Sequence, residues 1–136
     1  MINKLNVSII GTGRIAFELE EDKLRYKPCT HMGAINKLIQ KKHPLQWNFL
    51  CDIDKNKLAK AHSWLNNQVK QNNVSLTTDY REVIQSKPDI LIIASSTTSH
   101  YPIILDSLKA NIPSIVLEKP VCMSPDESGK ILKGFV

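Results

Sequence analysis

Short apolar runs recur along the chain, separated by polar or amphipathic stretches. They are Leu5–Ile10, Trp47–Cys51, Val74–Leu76, Ile90–Ala94 and Ser114–Leu117. Their apolarity is continuous rather than alternating, which predicts strands covered on both faces, as in a parallel sheet. Helix candidates lie between them. Lys55–Val69 brings Leu58, Ala61, His62, Leu65 and Val69 near one face at spacings of three and four. Asp79–Gln85 opens on an acidic N-cap. Pro102–Ala110 begins with a proline suited to a first turn. Ser124-Pro125-Asp126-Glu127 reads as a capping box with proline at the first helical position, opening a last helix toward Phe135. The stretch between the first two strands is longer than one helix needs, and Pro28 interrupts it. It predicts an inserted loop over about Leu19–Thr30, followed by a crossover helix from about His31 to Gln40. Strands alternating with helices predict an α/β fold, a single domain built on a doubly wound parallel sheet of about five strands.

The first run leads straight into Gly11-Thr12-Gly13-Arg14-Ile15-Ala16. A buried strand followed by Gly-x-Gly-x-x-Ala predicts the start of a dinucleotide-binding unit. Gly11 permits the tight turn, Gly13 lets backbone approach a pyrophosphate, and Ala16 allows close helix–strand packing. A helix opening there would aim free N–H groups and its positive dipole end at the phosphates. The second strand ends in Asp52, a candidate to accept hydrogen bonds from the adenosine ribose. A carboxylate there repels a 2′-phosphate, so NAD is expected over NADP. Asp54 is the rival for this role, with N-capping of the next helix as its simpler reading.

The fourth strand ends in Ser95-Ser96-Thr97-Thr98-Ser99-His100, hydroxyls that can serve ribose and phosphate oxygens or else cap a helix. The fifth runs into Glu118-Lys119-Pro120. Pro120 biases Lys119 toward an extended conformation. Lys119 then either orients a substrate hydroxyl beside a nicotinamide or is a surface lysine paired with Glu118.

Composition narrows the classes. The chain has 136 residues, 42% hydrophobic and 23% charged, with a formal net charge of +5. The basic residues are scattered, which favours a solvated face over nucleic-acid binding. No apolar stretch approaches the roughly 18 residues of a membrane span. The N-terminus lacks signal-peptide character, so a cytoplasmic location is expected. Cys29, Cys51 and Cys122 form no CxxC pair and predict neither a metal site nor a disulfide framework.

Together these segments resemble the N-terminal half of the glucose–fructose oxidoreductase / inositol dehydrogenase / rhizopine catabolism (Gfo/Idh/MocA) family. The matching residues are Gly11–Ala16, Cys51–Asp54, Thr78–Tyr80, Pro88–Ile90, Ala94–His100 and Glu118–Pro120. The resemblance implies a Rossmann domain that binds NAD, with Gly11, Thr12, Gly13, Arg14, Ile15, Asp52, Ser95, Ser96, Thr97, His100, Glu118 and Lys119 around the cofactor. It implies that Lys119 is the catalytic residue, acting on a sugar or polyol. Ser96 and Thr97 depart from the proline and asparagine common in the family. The resemblance also implies a C-terminal substrate domain with a catalytic histidine, which these 136 residues are not expected to include. The chain alone is therefore expected to bind cofactor without useful turnover, and to self-associate through surface that domain would cover. His31, His43 and His62 read as structural or surface residues, and His100 more as groove wall than acid–base group. A non-catalytic NAD(H)-sensing or partner-docking module is the alternative.

Overall fold

The computed structural model describes residues 2–71 and 73–135. Five strands alternate with five helices: β1 Leu5–Ile10, α1 His31–Gln40, β2 Leu45–Cys51, α2 Lys55–Gln68, β3 Ser75–Thr77, α3 Tyr80–Gln85, β4 Ile90–Ile93, α4 Thr97–Lys109, β5 Ser114–Leu117 and α5 Pro125–Gly134. All pairings are parallel, in the order β3-β2-β1-β4-β5. The order reverses at β1, so the carboxyl ends of β1 and β4 diverge into a crevice. This is the doubly wound α/β architecture expected from the sequence.

Each face of the sheet carries its own core. Val7, Ile9 and Leu50 pack with Phe17, Met32, Leu58 and Leu65 under α1 and α2. Ile10, Leu91 and Ile93 pack with Val83, Ile103, Ile104 and Ile131 under α3, α4 and α5. Successive strand residues serve opposite cores because side chains alternate across a strand. The register of β1 and β2 shifts between Val7 and Ser8. The buried Ser8 hydroxyl accepts the Phe49 N–H there at 3.2 Å, so the irregularity leaves that amide paired.

Three expectations need correction. First, α4 begins at Thr97, not Pro102. Ser96 is its N-cap, and Pro102 lies inside the helix. The carbonyl that loses its helical partner to Pro102 belongs to Thr98, which is exposed. Second, β5 is not covered on both faces. It is an edge strand, and Val116 is 43% exposed. Third, no α-helix opens directly from the glycine turn. Residues 13–17 make a single turn on the Gly13 carbonyl, a 3-10 turn follows at Glu18–Glu21, and α1 starts at His31.

The junction has a specific geometry. The N–H groups of His31 and Met32 donate to the carbonyls of Ile15 and Ala16 at 3.1 and 2.9 Å. Residues 14–17 thus act as a first turn, and α1 continues it after the chain has detoured through residues 18–29. Glu20, 8% exposed, secures the return. Its Oε1 accepts from the N–H groups of Cys29 and Thr30 and from the Thr30 hydroxyl. Thr30 in turn caps α1 through Gly33 N–H.

Candidate functional site

A groove of about 370 Å³ opens at the carboxyl ends of β1, β2 and β4. Its floor is the glycine turn. Gly11 N–H donates to the Cys51 carbonyl at 2.8 Å, and its φ is +94°. A Cβ at Gly11 would lie 2.5 Å from the backbone of Ala94 and Ser95. This position must be glycine for the turn to close between β2 and β4. A Cβ at Gly13 would meet nothing within 4 Å. Gly13 faces open space, and packing does not require it to be glycine. The N–H groups of Gly13, Arg14 and Ile15 have no hydrogen-bond partner among the described residues. Three consecutive free amides beside open space suit an anion.

These amides replace the donors expected from a helix N-terminus. In α1 the N–H groups of residues 31–34 are all taken, by the carbonyls of Ile15 and Ala16 and by Thr30. The interruption before α1 has therefore moved the free donors back into the turn itself.

Asp52 stands at the end of β2. Its Oδ2 accepts from Thr12 N–H at 2.8 Å and the Thr12 hydroxyl at 3.0 Å, and its Oδ1 accepts from Asp54 N–H at 2.8 Å. A carboxylate has about four acceptor positions, so Asp52 retains capacity for a ribose hydroxyl. Asp54 caps α2 through Asn56 and Lys57 N–H, which settles its role. Thr12 is fully buried and orients Asp52, so its side chain does not face the groove.

Ser95 and Ser96 line the groove wall together with Ser99. Their hydroxyls form a chain: Ser95 Oγ lies 2.6 Å from Ser99 Oγ, which also donates to the Ser96 carbonyl. Thr97 is the first residue of α4 and is not part of the wall. Arg14 and Ile15 are exposed at the rim. His100 was expected among the cofactor-binding residues, and the structure does not bring it there. It is 1% exposed, with Nε2 and Nδ1 each 2.9 Å from a carbonyl, of Ser95 and Pro120 respectively. It ties the end of β4 to the segment after β5.

Glu118 and Lys119 follow β5, one strand beyond β4. Glu118 does not pair with the Lys119 ammonium. Its Oε1 lies 2.6 Å from His31 Nε2, and its Oε2 accepts Lys119 N–H at 3.2 Å. Lys119 is exposed and forms no ion pair among the described residues. His31, expected to be structural or superficial, therefore belongs to this region.

Sequence reasoning also missed Lys57, Tyr80 and Cys51 as groove residues. Lys57 sits on the first turn of a helix whose cap gives no hint of a ligand. Tyr80 lies in the Thr78-Asp79-Tyr80 segment, which was a usable signal. Its hydroxyl donates to Asp106 at 2.8 Å, and burial together with that carboxylate raises its pKa. Burial pushes the Cys51 thiol up to about 12, with Asp52 adding to the shift, so it is no nucleophile at neutral pH. No cluster of potential metal ligands occurs among the described residues.

The chain matches the GFO_IDH_MocA family model, described as an oxidoreductase family with an NAD-binding Rossmann fold, over residues 5–134. No curated protein matches it. Among solved structures it is similar to the WlbA dehydrogenase of Chromobacterium violaceum, in complex with NADH and UDP-GlcNAcA, at 16% identity and a TM-score of 0.71. That match covers 98% of this chain and 32% of that one. It is similar to myo-inositol dehydrogenase of Lactobacillus casei, in complex with NAD(H) and myo-inositol, at 19% identity and a TM-score of 0.70, over 96% and 33% of the two chains. Biliverdin reductase of Synechocystis, in complex with biliverdin and NADP+, gives 17% identity and a TM-score of 0.68 over 96% and 34%. The chain spans about a third of the length of these structures. With its glycine turn, sheet order and carboxylate-tipped second strand, it belongs to the Gfo/Idh/MocA oxidoreductase family, described by an NAD-binding Rossmann fold.

Proposed function

We propose that the chain is the nucleotide-binding part of an NAD-dependent oxidoreductase that moves a hydride between nicotinamide and a sugar, polyol or sugar derivative. The observation that carries this reading is the open space at Gly13 beside three unpartnered amides. It is a cradle for a pyrophosphate at the point where the strand order reverses.

The other roles follow from position. Asp52 accepts hydrogen bonds from the adenosine ribose, held in place by Thr12 and Asp54 N–H. Ser95 and Ser96 offer hydroxyls to ribose or phosphate oxygens along the β4 side. Lys119, at the end of β5, orients a substrate hydroxyl and stabilises negative charge as its proton leaves. Bound NAD supplies the hydride acceptor. The substrate class is supported by the sugar nucleotide and the inositol named for two similar structures. Those chains are about three times as long, and we propose that substrate contacts lie in sequence of that kind, so that this chain alone binds cofactor without useful turnover.

Calorimetric titration with NADH and NADPH tests the reading. NADH is expected to bind, NADPH to bind more weakly because Asp52 repels a 2′-phosphate, and Gly13→Asp to abolish both. Absence of binding by either nucleotide would overturn it.

A further inference from the structure

Glu118 and Lys119 are neighbours of opposite charge at the end of β5, yet the structure keeps their side chains apart. Glu118 commits one oxygen to His31 Nε2 and the other to the Lys119 amide. His31 is itself fixed, because its own N–H donates to the carbonyl of Ile15 in the turn after β1. One residue therefore links the phosphate-side turn to the end of β5. The contact is short and part-buried, with the two side chains 21% and 23% exposed, unlike a loose surface ion pair.

The position of this link decides which half of a ligand it serves. Asp52 lies on β2, on one side of β1, and Glu118 follows β5, on the other. With a pyrophosphate at Gly13 and adenosine toward Asp52, the nicotinamide half extends toward β4 and β5. Lys119 follows β5 on that side, exposed and without an ion-pair partner among the described residues.

We propose that His31 is a positioning residue for the nicotinamide half of the site: by holding the Glu118 carboxylate, it keeps that carboxylate off Lys119 and leaves the ammonium available to the ligand. The inference rests on the NAD-binding reading above. Without His31, the carboxylate next to Lys119 in sequence loses its partner and captures the ammonium.

Titration with NADH and with ADP-ribose, which lacks the nicotinamide, separates the two halves. His31→Ala should lower NADH affinity about tenfold while changing ADP-ribose affinity by less than about twofold. His31→Gln, which keeps an N–H donor, should recover most of the loss. Glu118→Gln in the His31→Ala background should also restore NADH binding, because a neutral amide does not capture Lys119. A simple packing role for His31 predicts no such rescue. Equal losses for both ligands, no loss, or no rescue by Glu118→Gln would each overturn the inference while leaving the cofactor reading intact. A wild-type chain that binds neither ligand would overturn both. Thermal melting of each variant confirms that it is folded.

Discussion

Gly11 and Gly13 stand two positions apart and are glycine for different reasons. At Gly11 both the positive φ and the 2.5 Å approach to the backbone of Ala94 and Ser95 exclude any side chain. Gly11→Ala is expected to destabilise the domain by about 1–3 kcal/mol, read from a denaturant midpoint. At Gly13 the added methyl meets nothing, so Gly13→Ala should leave the midpoint within about 0.5 kcal/mol and weaken NADH binding instead. An equal loss of stability in the two variants would contradict this division. The spacing of the pair was legible in sequence, and so was Asp52 at the end of a strand. The partner of Glu118 was not, because His31 is 87 positions away and lies after an irregular segment. His100 was misplaced for a related reason. It follows the serines that line the groove, but α4 buries its ring between the carbonyls of Ser95 and Pro120, one of which accepts its N–H.

At the scale of elements, α1 depends on a residue outside it. Glu20 satisfies two backbone amides and a hydroxyl at the helix entrance, and its carboxylate fills the space where a Cβ on Gly33 would stand. Glu20→Ala strands the buried Thr30 amide and hydroxyl, and a loss of about 1–3 kcal/mol is expected in thermal or denaturant melts. Gly33→Ala should be destabilising for the complementary reason, since the methyl and the carboxylate claim the same volume. The bounds of α1 were legible because Pro28 and the apolar spacing after Thr30 are local signals. The satisfaction of its N-terminus was not, because Ile15 and Ala16 supply it across the detour. The start of α4 was misread because Pro102 imitates a first-turn proline, while the hydroxyl run that actually opens the helix reads as a polar loop.

A parallel sheet with crossover helices follows from the apolar central strands and from connections long enough to cross over, both visible in sequence. What is not visible is which edge stays open. Val116 of β5 and Val121, Met123, Leu132 and Phe135 beyond it are between 43% and 65% exposed. An apolar furrow of about 280 Å³ runs between β5 and α5. Contiguous apolar surface of this kind favours association. Light scattering over a concentration series should show the chain self-associating, and less so for Phe135→Lys combined with Leu132→Lys; a strict monomer at high concentration would count against it. No described helix is long and apolar enough to cross a membrane. The seam between Phe17 and Thr30 has a further consequence for the molecule. Because the carbonyls of Ile15 and Ala16 already receive the amides of His31 and Met32, the hydrogen-bond ladder of the first helix closes across the detour. The length of chain between those points is thereby uncoupled from the register of the sheet. Within it, the exposed residues 21–27, between Glu20 and Cys29, are where the domain can gain or lose sequence, or carry a foreign segment, while β1, β2 and the groove between them keep their spacing.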